Sequence, residues 1–507
     1  MNAYRAALLM TCLVLLASSC STTIPELDPL NHTSSHLDTG MFTRHVLMFN
    51  TRGAMLDPLS GHPQAHRVST FTRYSKLQTD SPAFTAYIDN IIAGIREQKA
   101  IYGHVRILFF FHGGLNTRAS ALARAAHDIA TARSDDESLY PIFVNWQTSA
   151  YGSYIDHLLW IKKGQDTGSK GPLLAPFQLG NDLVSSAADI PVANAVQFSD
   201  WWRALTPHPH ESVVVANNCF ESLDFRQGQT PEHSVASRLR SAATGVPTLI
   251  LTKWWIAGVL SAAGSRAWSS MLYTSDRLFY SDAEMHHDHS ENFAYEHPSL
   301  NGTGGLARFL DRLVSERVLD DRDDITLVAH SAGAVVANNI VGNFGEVLPI
   351  HTLVYMAPAC TIDEVMPGGR IARFLGGDLH RQLYILALHE QAELNEKGYI
   401  DFTPRGSLLV WLDEFIQPKH SELRGVMLGR VRNLRTHAHL ISCDLYRQIH
   451  ITAFNDNPET HPAIEPQRHG EFGDLRYWSK TTWRPTLPGI EPLLTTTDPH
   501  AVNPHLP

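Results

Sequence analysis

Along the chain, short runs of consecutive apolar, β-branched and aromatic residues alternate with longer stretches in which apolar positions recur every three or four residues. The short runs are His45–Met48, Val105–Phe111, Pro141–Trp146, Ile325–Ala329, Thr352–Met356 and Leu383–Leu388. Continuous runs of this kind read as strands buried on both faces. Between them, Phe84–Gln98, Ala119–Arg133 and Gly304–Arg317 carry helical spacing. Strands alternating with helices predict an α/β fold: a mostly parallel central sheet flanked by helices on both faces.

The alternation stops between about residues 151 and 300, where Trp-rich, helix-like segments replace it. This stretch is expected to be a helical insertion, a cap or lid between two parts of one main domain, residues 43–150 and 301–494. Trp201-Trp202 and Lys253-Trp254-Trp255, which lead into an apolar run, are expected to pack the insertion onto that domain. The alternative is a lid that faces an acyl chain or a bilayer surface. Residues 495–507, rich in Pro, His and Asn, read as a fraying tail.

At the N-terminus, Arg5 precedes an apolar stretch from Ala6 to Ala17. It is shorter than the roughly 20 residues a membrane-spanning helix needs, and it reads as a signal peptide over residues 1–20. Its end, Leu16-Ala17-Ser18-Ser19-Cys20, resembles a bacterial lipobox, which implies lipidation of Cys20. Residues 21–42, polar over most of their length, then form a tether, and Ser21 after the Cys implies the outer rather than the inner membrane. The expected location is therefore the bacterial cell envelope, lipid-anchored and facing the periplasm.

Composition narrows the alternatives. Of 507 residues, 43% are hydrophobic and 18% charged, which excludes a disordered or collagen-like chain. The formal charge is −10, with no Lys/Arg stripe to neutralise phosphates, so nucleic acid is not an expected partner. Of the five Cys, Cys12 and Cys20 belong to the signal. Cys219, Cys360 and Cys443 allow at most one disulfide and show no zinc spacing.

The chemistry concentrates in two strings. In Ile325-Thr326-Leu327-Val328-Ala329-His330-Ser331-Ala332-Gly333-Ala334, an apolar strand runs into Ser331 and a run of small residues leads out. A sharp strand-turn-helix presenting a nucleophile requires small residues two before and two after it, here Ala329 and Gly333. The string resembles the nucleophile elbow of the α/β-hydrolase superfamily, with Ala329 where that family usually has Gly. Upstream, Phe111-His112-Gly113-Gly114-Leu115 ends another strand and resembles the His-Gly oxyanion loop of esterases and lipases. The resemblance implies an oxyanion hole made by this loop (Gly113, Gly114, Leu115) and the N–H of Ala332, with His112 structural.

In that superfamily the order along the chain is Ser, acid, His. His469, in Arg468-His469-Gly470-Glu471-Phe472, resembles the family's His-Gly-x-Phe and is the expected base; His437, His439, His450 and His461 are alternatives. For the acid, Glu390 follows the Leu383–Leu388 run and is first choice, with Glu393 and Asp363 behind it. Met285-His286-His287-Asp288-His289 reads as a surface His-rich loop. No metal or other cofactor is expected.

The resemblance implies a serine hydrolase of carboxylic esters, lipid acyl esters among them, working through an acyl-enzyme on Ser331. Two alternatives stay open: a non-catalytic envelope binding protein that keeps the fold, and an acyltransferase using the same residues. The expected partners are a small-molecule or lipid ester and, through the anchor, the membrane.

Overall fold

The computed structural model describes residues 39–60, 74–114, 116, 118–159, 161–162, 165–166, 171–205, 224–228, 254–280, 302–396, 405–416, 426–455, 461–483 and 490–492. The signal peptide, Cys20, most of the tether, Cys219, Leu115, the 285–289 His cluster and the tail lie outside them.

Twelve strands are described: β1 (Val46–Phe49), β2 (Met55–Leu56), β3 (Arg106–Phe111), β4 (Leu139–Asn145), β5 (Ile161–Lys162), β6 (Gln165–Asp166), β7 (Asp224–Gly228), β8 (Asp324–His330), β9 (Ile350–Met356), β10 (Gln382–Leu388), β11 (Ile449–Phe454) and β12 (Ile490–Pro492). Ten of them form one sheet in the order β12-β7-β11-β10-β9-β8-β3-β4-β1-β2. From β7 to β1 every pairing is parallel; only the edge strands β12 and β2 run antiparallel. The expected mixed α/β architecture with a mostly parallel sheet is the one observed. Its central strands are buried along nearly their whole length, which is why they read as unbroken apolar runs.

Helices cover both faces. On one side lie α2 (Pro82–Tyr102), α7 (Gly305–Ser315), α8 (Gly333–Phe344) and α9 (Arg370–Gly377), whose apolar residues join the larger core cluster. The other face is covered by α3 (Arg118–Asp135) and by a C-terminal segment that contributes Phe472, Tyr477, Trp478 and Trp483. Ahead of α2, the short helix α1 (Thr39–His45) leads into β1. Ser81 caps α2 by accepting from the Phe84 N–H, and Pro82 occupies the first helical turn, where its missing donor costs nothing.

The 151–300 stretch supplies α4 (Ala150–Leu159, which begins one residue earlier), α5 (Gly171–Leu205) and α6 (Trp254–Arg277). These pack together through Tyr154, Leu158, Ala263 and Ala267. The Trp268 and Met271 side chains of α6 are buried in the main core, so the insertion is anchored by aromatic and thioether packing. One expectation needs correcting: the insertion is not purely helical. It contributes β7, which pairs with β11 inside the main sheet. Asp224-Phe225-Arg226-Gln227-Gly228 places a single large apolar side chain in a polar string, and such a strand leaves no run or alternation to find.

None of the described helices is long and apolar enough to cross a membrane.

Candidate active site

Parallel register decides where the motifs meet. Because β3 and β8 are neighbours with Phe111 opposite Ala329, the segments that follow them emerge at the same edge of the sheet. That edge is the carboxyl end of the strands, where α/β sheets gather their sites.

Ser331 sits between β8 and α8 with φ +52°, a left-handed conformation that non-glycine residues adopt only under constraint. The constraint is visible. Its N–H donates to the Met356 carbonyl (2.9 Å), and its own carbonyl accepts from Ala359 (3.0 Å) and Ala334 (3.1 Å). A Cβ on Gly333 would lie 2.4 Å from the Phe111 carbonyl oxygen, so α8 starts hard against β3 only because Gly stands there. Gly113 is equally confined: a Cβ would come 2.9 Å from His330 Nδ1 and 3.0 Å from Ser331 Cβ.

The loop after β3 is fixed by its first peptide. Trp146 N–H donates to His112 Nε2 (3.2 Å), which leaves the proton on Nδ1, and Nδ1 donates to the Gly113 carbonyl (2.9 Å). Asn116 Nδ2 (3.1 Å) and Thr148 Oγ1 (3.2 Å) donate to the same carbonyl. In a trans peptide the C=O and the following N–H point in opposite directions. Three donors holding the Gly113 carbonyl therefore also fix the direction of the Gly114 N–H. Burial pushes the His112 imidazole down to about 4, so it serves as a neutral strut. Leu115 lies outside the described residues.

His469 begins a 3₁₀ turn (His469–Asp474) and sets Nε2 2.9 Å from Ser331 Oγ; both residues are buried. The structure thus brings together Ser331 and His469. The other histidines are engaged elsewhere: His437 with the Asn433 carbonyl, His439 with the Thr436 carbonyl, and His450 with Asp224 and Gln382. His461 serves as a local turn residue at the Ala463 N–H.

Burial lowers the His469 pKa to about 4, and the imidazole is therefore neutral. Its Nδ1 is buried and has no hydrogen-bond partner among the described residues. The structure does not bring the expected acids to it. Glu390 Oε1 instead accepts from Arg430 Nη2 at 2.6 Å in an ion pair. Glu393 is fully buried, hydrogen-bonded to the Ser407 hydroxyl, and pushed up to about 8 by desolvation, so it is largely protonated at neutral pH. Asp363 lies in the 3₁₀ turn after β9, where burial raises its pKa.

His469 is held instead through its backbone, by two residues the motifs did not single out. The His469 N–H donates to Glu396 Oε2 (2.9 Å), and its carbonyl accepts from His330 Nε2 (3.0 Å). Burial pushes the Glu396 carboxyl up to about 7 and the His330 imidazole far below its ordinary value. The available signal for Glu396 was the run of carboxylates at 390, 393 and 396, whose third member lies furthest from the strand.

Chemically, the arrangement offers a hydroxyl held against a neutral imidazole, with Gly114 close to the residue after Ser331: a Cβ on it would lie 3.5 Å from the Ala332 Cβ. Comparison of the chain with family models, with curated proteins and with solved structures finds no match.

Proposed function

We propose that this chain is a serine hydrolase of carboxylic esters, lipid acyl esters among them, and that it belongs with the α/β-hydrolases it resembles. The observation that carries the reading is Ser331 Oγ at 2.9 Å from His469 Nε2, on a serine held at φ +52°. A hydroxyl so constrained, with a neutral imidazole as acceptor, is the arrangement of a base-activated nucleophile.

In the reaction, the Ser331 Oγ proton passes to His469 Nε2 as Oγ bonds to the ester carbonyl carbon. The N–H groups of Gly114 and Ala332 stabilise the oxyanion. Collapse expels the alcohol, which takes the proton back from Nε2. Water, deprotonated by the same nitrogen, then attacks the acyl-enzyme and frees the acid and Ser331. Transfer of the acyl group to another alcohol uses the same residues.

The lipobox-like Ala17-Ser18-Ser19-Cys20 supports a lipid-anchored envelope protein facing the periplasm. The disulfide-bonded state of Cys443 agrees with an oxidising compartment. One observation favours the second reading, a binding protein that retains the fold: His469 Nδ1 has no acceptor among the described residues.

Turnover of p-nitrophenyl esters of graded chain length tests the proposal. Ser331→Ala is expected to lower kcat/KM by about 10⁴-fold or more. Equal turnover by parent and variant, or none by either, would overturn it.

A further inference from the structure

Helix α5 carries its charges on the wrong side for a helix facing water. At about 100° per residue, Leu173, Phe177, Val184, Pro191 and Phe198 fall within a sector of roughly 60°. Leu173 is 75% exposed, Phe177 77%, Val184 70%, and Val192, beside this sector, 66%. Asp182 and Asp189 lie on the opposite side, turned into the insertion. Asp182 accepts from the Tyr154 hydroxyl (3.0 Å) and faces Arg266 and His157. Asp189 accepts from Ser261 (2.9 Å), and Arg203 near the helix end pairs with Glu414 (3.2 Å). The polar face is consumed inside the protein, and the apolar face looks out along a helix of 35 residues, about 50 Å long.

We propose that this face of α5 lies in the surface of a zwitterionic lipid bilayer. Two observations select that occupant. The described side chains of the stripe bear no charge over its length, so it offers apolar area without electrostatic complementarity to an anionic surface or a charged protein. The chain between Cys20 and Thr39 spans 19 peptide steps, about 60 Å when extended, enough for a lipid on Cys20 to hold the body at the membrane while α5 settles on it. Soluble monomers rarely leave so large an apolar face in water. The stripe is also joined to the candidate site: α5 packs on α6 at Gly258, and α6 brings Met271 beside Gly114. The inference rests on the exposed face and on the proposed lipid anchor at Cys20, and it holds whether or not Ser331 attacks an ester.

The test attaches an environment-sensitive fluorophore to Phe177→Cys and, separately, to Val184→Cys in the full-length lipidated protein. A control label goes on Ile101→Cys, which is exposed at the end of α2 in the main domain. In phosphatidylcholine vesicles, the labels at 177 and 184 are expected to shift to the blue and to lose about half their emission to acyl-chain quenchers, and the label at 101 to do neither. Emission at 177 and 184 as red and unquenched as at 101 would overturn the proposal. So would a blue shift already present without vesicles in the full-length Cys20→Ser protein, because it would mean that another part of the chain or a second copy covers the face.

Discussion

Ser331, His469, His330 and Glu396 form a unit in which His469 Nε2 is placed by hydrogen bonds to the backbone N–H and carbonyl of its own residue. His330 and Glu396 are positioning residues in this account. Glu396→Gln keeps an acceptor for the His469 N–H and is expected to hold kcat within about threefold, whereas Glu396→Ala loses about ten- to a hundredfold. Steady-state kinetics on both variants check this, and an equal loss in both would assign the effect to charge. In the proposed hydrolase, His469 also sets the pH profile. With its folded pKa near 4, His469 remains a proton acceptor well below neutrality, so kcat/KM is expected to fall only as pH drops through about 4. A limb near the ordinary histidine value of 6.5 would contradict the burial seen here. Ser331, Gly113 and Gly333 were legible in the sequence because sharp turns demand small residues at and around them, and His469 through chain order and the resemblance of Arg468-His469-Gly470-Glu471-Phe472 to a family string. The residues holding His469 were not, since a hydrogen bond across 73 residues leaves no local pattern.

At the scale of elements, the 390–396 segment shows how packing reassigns carboxylates that a sequence ranks alike. Arg430 is fully buried and reaches Glu390, Asp413 and Glu414, so Glu390 belongs to an ionic cluster that ties α10 (Glu390–Asn395) to Arg430, Asp413 and Glu414. Arg430→Met strands buried carboxylates and is expected to cost about 3–5 kcal/mol in thermal or denaturant unfolding. Glu393 has the opposite pH signature. Its folded value near 8 exceeds the ordinary 4.5, so between these values the folded state holds a proton that the unfolded chain has released. Its stabilising contribution is complete below about 4.5 and is lost as pH rises through 8. Glu393→Gln is therefore expected to raise Tm relative to the parent at pH 8 and to leave the difference small at pH 4. The six strands expected from apolar runs are all present within a few residues. β11 was missed because His450 and Thr452 interrupt its apolar run, and β7 because its residues are mostly polar.

For the molecule as a whole, the insertion is built on a helix whose charges turn inward, and through Met271 of α6 it reaches the loop after β3 at Gly114. Lipidation of Cys20 would place that helix at a membrane. Metabolic labelling with a radioactive fatty acid is expected to mark the parent and not Cys20→Ser; an unlabelled parent cut before another residue would contradict the anchor. That Ser331 is an activated nucleophile is read out by the intact mass of the protein after exposure to a fluorophosphonate. One adduct is expected on the parent and none on Ser331→Ala or His469→Ala. A folded parent that takes up no probe, or an adduct that survives Ser331→Ala, would contradict it.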